Sequence, residues 1–265
     1  MEVNRSGYYR YLKGTGFEKK DVEDVLVTEV KALHRQSGES YGSRRIAKGL
    51  QAKGYRVCRY QARSLMRKAK ISCKQRRRFK VTTQSNPALP VAKNILNREF
   101  AVKQANRVWA ADITYLWTQE GWLYLSAVLD LFSRRIVGWS LGSDLREELV
   151  SNALRMALGR RNPEPGLLHH SDRGCQYASK SYQKLLRENG LVSSMSRKGN
   201  CWDNAVMERF FGSLKSERVY GKNYVTRSEA KADVINYIEM FYNSERMHSA
   251  LGYLSPMQYE NKISL

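Results

Sequence analysis

Residues 107–141 decide the fold, and they read RVWAADITYLWTQEGWLYLSAVLDLFSRRIVGWSL. Three runs within this stretch are rich in aromatic and β-branched residues, which favour extended strands: 107–118, 122–130 and 134–141. The polar turns that separate them, at Glu120-Gly121 and at Ser133, are too short for a crossover connection. The stretch therefore predicts three neighbouring strands in an antiparallel meander.

Helical and extended patterns alternate after the meander. Apolar residues at helical spacing predict helices at 145–159, about 178–189, around Glu208 and about 228–246. Two short apolar runs between them, at 167–168 and 191–195, predict further strands. Three antiparallel strands followed by alternating helices and strands predict an α/β domain, a mixed sheet flanked by helices.

The charge of the chain is concentrated in its first hundred residues. The 265 residues carry a formal net charge of +21, and residues 1–100 hold 24 Lys/Arg against 8 Asp/Glu. Between Glu39 and Glu99 there are 17 basic residues and no acidic one. A field of one sign and this size indicates a polyanionic partner, and nucleic acid is the one we expect. A solvated basic arm that keeps the protein soluble is the alternative.

The basic region also has a helical pattern. Residues 18–35 predict one helix, and 41–71 predict two short helices separated by a turn at Gly54. Two short helices of which the second is basic fit a helix-turn-helix-like DNA-binding region, which we place at 1–75. The candidate DNA-contacting residues of this all-α region are Arg44, Arg45, Arg59, Arg63 and Arg67.

Residues 76–100 are predicted to be a basic linker before the core at 101–265. Arg76, Arg77 and Arg78 are followed by the polar, proline-containing stretch TTQSNPALP, which has no periodicity. The three arginines either contact phosphates or are solvated, and the surrounding basic residues favour phosphate contact.

Three acidic residues of the core stand among apolar neighbours. Asp112 lies in the middle of a predicted strand, a position that disfavours Asp, although an edge strand could turn it outward. Asp172 ends a predicted strand before Gly174, where it could simply form a turn. Glu208 taken alone would be a surface helix residue. The set is more informative, because ligands of α/β sheets gather at the carboxyl ends of strands.

Carboxylates that converge on one point would raise each other's pKa, so they need a cation. Oxygen ligands of this kind suit Mg²⁺, with Mn²⁺ as a substitute. Two such ions about 3.5–4 Å apart can hold the attacking and leaving oxygens of a phosphodiester displacement. A basic chain with such a site can bring DNA to metal-dependent chemistry.

The order Asp112, Asp172, Glu208, with 35 residues between the last two, resembles the DDE motif of retroviral integrases and bacterial insertion-sequence transposases. Five phrases extend this resemblance over nearly the whole chain, to the second-reading-frame subunit of two-frame insertion sequences. They are WAADITY, LDLFSRRIVGWS, HHSDRGCQY, GNCWDNAVMERFFGSLKSE and YNSERMHSALGYLSPMQY.

The resemblance implies an RNase H-like catalytic core with three metal-binding carboxylates, Asp112, Asp172 and Glu208. Lys215, seven residues after Glu208, is similar to a DNA-contacting basic position of the family. The implied enzyme is a Mg²⁺-dependent DNA strand-transferase and endonuclease that cuts insertion-sequence ends. The exposed 3′-hydroxyls then attack another DNA phosphate, without a covalent protein–DNA intermediate.

The resemblance also implies partners. These are double-stranded DNA, as insertion-sequence ends and as target, and further copies of the chain assembled on it. Similar transposases often carry an additional N-terminal DNA-binding and oligomerising segment, fused by frameshifting. No heptad-rich segment of that kind is visible in this sequence, so we expect a partial product with an upstream-frame DNA-binding subunit as partner.

Two other functions are compatible with the sequence. One is a DNA-binding regulatory or architectural subunit whose catalytic core is idle, against which the complete set of three acids argues. The other is an RNase H-like ribonuclease, which only the flanking phrases disfavour.

Three residues near the acids have competing interpretations. Trp202 could stack on a splayed base, but we expect it in the core. Asp203 is expected to be structural or a helix cap, and His170 to be a hydrogen-bonded histidine at a strand end.

No apolar run could span a bilayer, and the N-terminus has no signal-peptide pattern. The four cysteines form no CxxC pair, which is typical of reduced thiols. Together with these features, the resemblance to bacterial insertion-sequence transposases implies a cytoplasmic bacterial protein associated with the nucleoid.

Overall fold

A computed structural model of the protein describes residues 5–12, 15–74, 91–198 and 200–263. The chain divides into two units, residues 1–75 and residues 76–265.

The described part of the smaller unit is helical. Its helices are α1 (Arg5–Leu12), α2 (Thr15–Gln36), α3 (Ser43–Ala52) and α4 (Arg59–Lys68). Ile46 and Leu50 of α3 are fully buried, and Leu65 and Met66 of α4 are nearly so. Gly54, between the two helices, has a φ of +89°, a conformation that residues with a side chain rarely adopt. The helix-turn-helix-like pair predicted from the apolar stripes and this glycine is therefore confirmed.

The larger unit is built on one five-stranded sheet. Its strands are β1 (Val108–Thr118), β2 (Gly121–Asp130), β3 (Ile136–Gly142), β4 (Leu168–Ser171) and β5 (Val192–Met195). The strand order is β3-β2-β1-β4-β5. The first three strands pair antiparallel, as the meander predicts, whereas β4 pairs parallel to β1 and β5 parallel to β4. The mixed sheet predicted from the sequence is confirmed.

Helices cover both faces of this sheet. The helices of the larger unit are α5 (Glu147–Arg161), α6 (Lys180–Glu188), α7 (Ala205–Leu214), α8 (Arg227–Asn236) and α9 (Pro256–Ile263). One core cluster joins α7 to Ala110, Leu116 and Ala127. A second cluster, which includes residues of α5 and α6, contains Trp109 and Ala111. Alternate residues of β1 thus enter opposite cores, as the two-residue repeat of a strand requires.

Close contact of α5 with the sheet depends on Gly138 in β3. A Cβ built on Gly138 would lie 2.2 Å from the carbonyl oxygen of Ala153 and 2.7 Å from the backbone nitrogen of Ala157. Any larger residue would push the helix off the strand.

The predicted linker at 76–100 is too long. The backbone nitrogens of Ile95 and Leu96 donate hydrogen bonds to Ser194 Oγ, and Leu96 is buried in the core of the larger unit. Residues 91–100 therefore belong to that unit, because single apolar residues can dock on an existing surface without a periodic pattern. Arg76, Arg77 and Arg78 lie outside the described residues.

Within the described part of the chain, none of the helices has the length and apolar character needed to cross a lipid bilayer.

Candidate active site

Asp112 lies on β1 just beyond the residues that pair with β4. Its partner on β2 is Ala127, whereas the pairing of β1 with β4 covers only Val108 to Ala110. Asp112 is half-buried, and its Oδ1 accepts a hydrogen bond of 2.8 Å from the backbone nitrogen of Ile113. An acidic residue is tolerated here because the neighbouring strand no longer covers this edge of β1.

Asp172 comes directly after β4, the strand next to β1. Ala110 of β1 is in register with His170 of β4, and the two aspartates each come two residues later. Neighbouring strands are about 4.8 Å apart, and the negative charge of Asp172 acts on Asp112, so the two carboxylates belong to the same region of the molecule. Asp172 Oδ1 accepts a hydrogen bond from the backbone nitrogen of Gly174. Burial raises the pKa of Asp172.

Glu208 reaches the same place from a helix. It lies in the first turn of α7 and is exposed, whereas Met207 and Phe210 of that helix are buried in the core. The start of α7 is attached to β1, because Asn204 Nδ2 donates a hydrogen bond of 3.2 Å to the carbonyl oxygen of Ala111. A rigid helix therefore holds Glu208 near enough for its charge to act on Asp112.

The charges of Asp172 and Glu208 both change the pKa of Asp112. Burial, followed by the negative charge of Asp172, raises the pKa of Asp112 well above its usual range, and Glu208 raises it further. The positive charge of Lys215 acts in the opposite direction. Burial also raises the pKa of Glu208. The site therefore concentrates negative charge in surroundings that disfavour it, which is what a bound cation would relieve.

Lys215 is the basic residue of this site. It follows α7 at the start of a wide helical turn, and only 9% of its surface is exposed. Burial lowers the pKa of Lys215, and the charge of Asp112 opposes this effect. Its Nζ lies 4.8 Å from the centre of the Tyr115 ring.

The donor set fits a hard divalent cation such as Mg²⁺, since it consists of carboxylate oxygens from three separate elements. Among the residues that the structure describes, no three His, Cys, Asp or Glu side chains are close enough to hold a metal ion. A cation shared by all three acids thus requires movement of their side chains, and the exposed Glu208 is the one with room to move.

Five of the predicted DNA-contacting arginines belong to the smaller unit. Arg44 is exposed on α3, and Arg45 is partly exposed, with its guanidinium 5.3 Å from the centre of the Tyr41 ring. Three further arginines lie at four-residue intervals on α4 and therefore on one face of it. They are Arg59, Arg63 and Arg67, all of them exposed.

Asp203 is structural, as expected. It is fully buried and accepts hydrogen bonds from Arg197, Arg98 and Asn94. Hydrogen bonds from Arg197 hold the pKa of Asp203 well below its usual range. The cluster joins the segment before β1 to the turn that leads into α7.

His170 is also structural. Its Nδ1 lies 2.9 Å from Ser194 Oγ, and its Nε2 lies 3.2 Å from Ser196 Oγ. Burial lowers the pKa of His170 to about 4, so the ring is neutral at neutral pH.

The expectation that Trp202 lies in the core is wrong, because 68% of its surface is exposed. It belongs to a single turn, Cys201–Asn204, that precedes α7, and the apolar residues of α7 already fill the core beneath.

Sequence reasoning missed Tyr177. This residue is 1% exposed, and burial raises its pKa well above the usual value, with Asp112 and Asp172 adding to the effect. Its phenol therefore stays protonated close to both aspartates. The phrase that contains it, CQYASK, gives no periodic signal that would have identified it.

Known families match both units of the chain. The Integrase core domain family matches residues 102–201, a second family of the same description matches residues 208–263, and the HTH-like domain family matches residues 21–79.

Two relatives match almost the full length. The chain is 44% identical over 260 residues to the insertion element IS600 uncharacterized 31 kDa protein of Shigella sonnei, which covers 98% of this chain and 96% of that protein. It is 39% identical over 264 residues to the transposase InsF for insertion sequence IS3A of Escherichia coli (strain K12), with coverage of 99% and 92%.

One solved structure shares the fold. A chain of the simian T-cell lymphotropic virus intasome, in complex with PP2A regulatory subunit B56 gamma, matches with a TM-score of 0.51 at 14% identity. The match covers 87% of this chain and 73% of that one.

Proposed function

The chain belongs to the insertion-sequence transposases, and we propose that it cuts and joins DNA at the ends of its element in a metal-dependent reaction. Asp112, Asp172 and Glu208 are the proposed metal ligands. The reaction is a polynucleotidyl transfer, in which water first attacks a phosphodiester and leaves a free 3′-hydroxyl. That hydroxyl then attacks a phosphodiester of the target, which forms one bond and releases another 3′-hydroxyl.

One observation carries the proposal. Asp112 and Asp172 each come two residues after the paired residues Ala110 and His170, and the charges of Asp172 and Glu208 both act on Asp112. Three carboxylates, one within a strand, one just after a strand and one on a helix, have no structural need to share a site, since each would be more stable alone.

Divalent cations, when bound, would stabilise the charge that develops on the phosphate and on the attacking and leaving oxygens. The protein fixes the positions of the three proposed ligands. The sheet fixes Asp112 and Asp172, and α7, held by its buried apolar side chains, fixes Glu208. Lys215 offers a positive charge next to Asp112, where it can hold a DNA phosphate in place.

We assign DNA binding in part to the smaller unit. The exposed arginines of α4 form a basic face on a short helix, which suits contact with the phosphates of a duplex. Joining two ends to a target further requires several active sites, so we propose that copies of the chain assemble on DNA. The upstream-frame subunit is a further proposed partner.

The proposal is tested with Glu208→Gln, which keeps the size of the side chain and removes its charge. Glu188→Gln is the matched control, because Glu188 is an exposed helical glutamate of α6 whose partner is Lys184. Joining of a short end-containing duplex to a plasmid is measured in Mg²⁺ and in Mn²⁺. We expect the Glu208 variant to bind DNA normally and to join none, and the control to join as the unchanged protein does.

Two results would redirect the proposal. Undiminished joining by Glu208→Gln would show that the assigned site is wrong. Normal DNA binding by the unchanged protein, with neither nicking nor joining in either metal, would favour a regulatory subunit with an idle core.

A further inference from the structure

Three aromatic side chains lie exposed at the far end of the β1–β2 hairpin. Tyr115, Trp117 and Trp122 are 39%, 59% and 43% exposed. The ring centres of Tyr115 and Trp122 are 5.0 Å apart, and those of Trp117 and Trp122 are 4.8 Å apart, in edge-to-face arrangements. These residues, called the aromatic platform below, contribute to neither core cluster of the sheet.

The aromatic platform is built on a rigid element. Trp117 and Trp122 are cross-strand partners in the β1–β2 ladder. The turn between them is attached to the segment before α8, because the backbone nitrogen of Gln119 donates a 3.0 Å hydrogen bond to the carbonyl oxygen of Tyr224. Arg227 Nε also donates to the carbonyl oxygen of Trp122 at 3.0 Å. The rings are therefore presented in fixed positions.

Two lysines lie beside the aromatic platform. Its three rings line a cleft of about 360 Å³ together with Lys215 and Lys222. Lys222 is 46% exposed at its side chain and pairs with Asp233, while Lys215 lies against the ring of Tyr115. Exposed rings interleaved with lysines are typical of surfaces that stack nucleic-acid bases and contact their phosphates. An apolar protein partner would have no use for these charges.

The aromatic platform adjoins the candidate active site. Lys215 lines its cleft and also acts on the charge of Asp112. Tyr115 follows Asp112 by three residues of the same strand, a rise of about 10 Å, so the two side chains leave opposite faces of β1, and Lys215 interacts with both of them. A strand of DNA whose phosphate lies at the carboxylates would thus have its next few nucleotides within reach of the rings.

We propose that Tyr115, Trp117 and Trp122 stack on unpaired bases next to the scissile phosphate and so hold the end of the DNA open. Paired bases already stack on each other, so only unpaired ones can use the rings. This inference rests on the proposed function, because it takes the reacting phosphate to lie at Asp112, Asp172 and Glu208.

The test compares two double variants. Trp117→Leu with Trp122→Leu keeps apolar bulk but removes the stacking faces, whereas Trp117→Phe with Trp122→Phe keeps an aromatic face at each position. Met240→Ala is the control for loss of an exposed apolar side chain elsewhere in the same unit. Thermal melting verifies that all four proteins are folded.

Binding is measured with a short end-containing duplex, fully paired or with mismatched terminal pairs. We expect the Leu variant to bind the mismatched duplex at least about tenfold more weakly, the loss of one or two stacked bases. We expect the Phe variant to recover most of the affinity, the control to be unaffected, and binding of the paired duplex to change little.

Three outcomes would overturn the inference. They are unchanged affinity of the Leu variant for the mismatched duplex, equal losses with both duplexes, and a change in oligomeric state without DNA, which would assign the surface to a second copy. The binding assay does not depend on catalysis. A failure of this inference can therefore be distinguished from a failure of the proposed function, which the joining assay with Glu208→Gln tests.

Discussion

Asp112 shows at the scale of one side chain why the site calls for a cation. Burial and the charges of Asp172 and Glu208 all raise its pKa, while the hydrogen bond from the backbone of Ile113 and the charge of Lys215 act against them. An apolar residue at this position would enter the sheet without such a cost. Residues that work against the stability of a fold are those for which a functional reason is expected.

Asp203 gives the opposite case, a buried carboxylate that stabilises the fold. Hydrogen bonds from Arg197, and a further one from Arg98, hold the pKa of Asp203 well below its usual range. A carboxyl whose pKa is depressed by folding contributes stability above its unfolded pKa of about 4, and this contribution is lost as the pH falls towards the folded value.

We expect Asp203→Asn to lower the free energy of unfolding at pH 7 by about 2 kcal/mol, since the arginines are partly exposed and solvent screens the charge. The difference between the two proteins should shrink as the pH falls below about 4, where the aspartate of the unfolded chain takes up its proton. Urea unfolding at a series of pH values measures it. Asp144→Asn, at an exposed carboxylate, is the control. A gap that stays constant down to pH 3 would contradict this account of Asp203.

Helix α4 is the element on which DNA binding can be tested most directly. Arg59, Arg63 and Arg67 share one face, so several of them can follow the same phosphate backbone. Each phosphate contact releases condensed counterions, and the affinity for DNA then falls with salt in proportion to the number of contacts.

We expect Arg63→Gln with Arg67→Gln to reduce the slope of log affinity against log salt by about 2, close to one per lost contact. Fluorescence anisotropy with a labelled duplex at several salt concentrations measures the slope. Lys184→Gln, an exposed lysine on α6 that pairs with Glu188, is the matched control and should leave the slope unchanged. An unaltered slope in the double variant would mean that this face of α4 does not contact phosphates.

At the scale of elements, the strands and helices of the core could be predicted because their patterns are long. The meander of β1 to β3 and the apolar stripe of α7 are examples. Burial is harder to predict in short segments. The size and apolar character of Trp202 predict that it lies in the core, but the residue belongs to one turn, which has no repeat to show which side faces solvent.

Contacts between distant elements set a further limit on sequence reasoning. Leu96 docks on the sheet from a stretch without periodicity, so the predicted linker was too long. The aromatic platform depends on a cross-strand pair, Trp117 with Trp122, that only the register of the hairpin reveals. Tyr177 approaches the two aspartates through the fold and has no signal in the sequence.

In the proposed function, DNA binding by the arginines and the chemistry at the three acids belong to different units of the molecule. The smaller unit carries the exposed arginines of α4, and the larger one carries the three acids and Lys215. The uneven charge of the sequence anticipates this division, because most of the positive surplus lies in the first hundred residues. The site itself could be predicted only as a set of three residues, since its geometry comes from the register of β1 with β4.

The central claim is that Asp112, Asp172 and Glu208 jointly bind divalent cations at a DNA phosphate. The most direct measurement is a crystal structure with Mn²⁺ and end DNA, in which anomalous scattering locates the metal. We expect anomalous density between the three carboxylates, in contact with a phosphate oxygen. Density at another place, or the three carboxylates on separate surfaces around an ordered DNA end, would contradict the account.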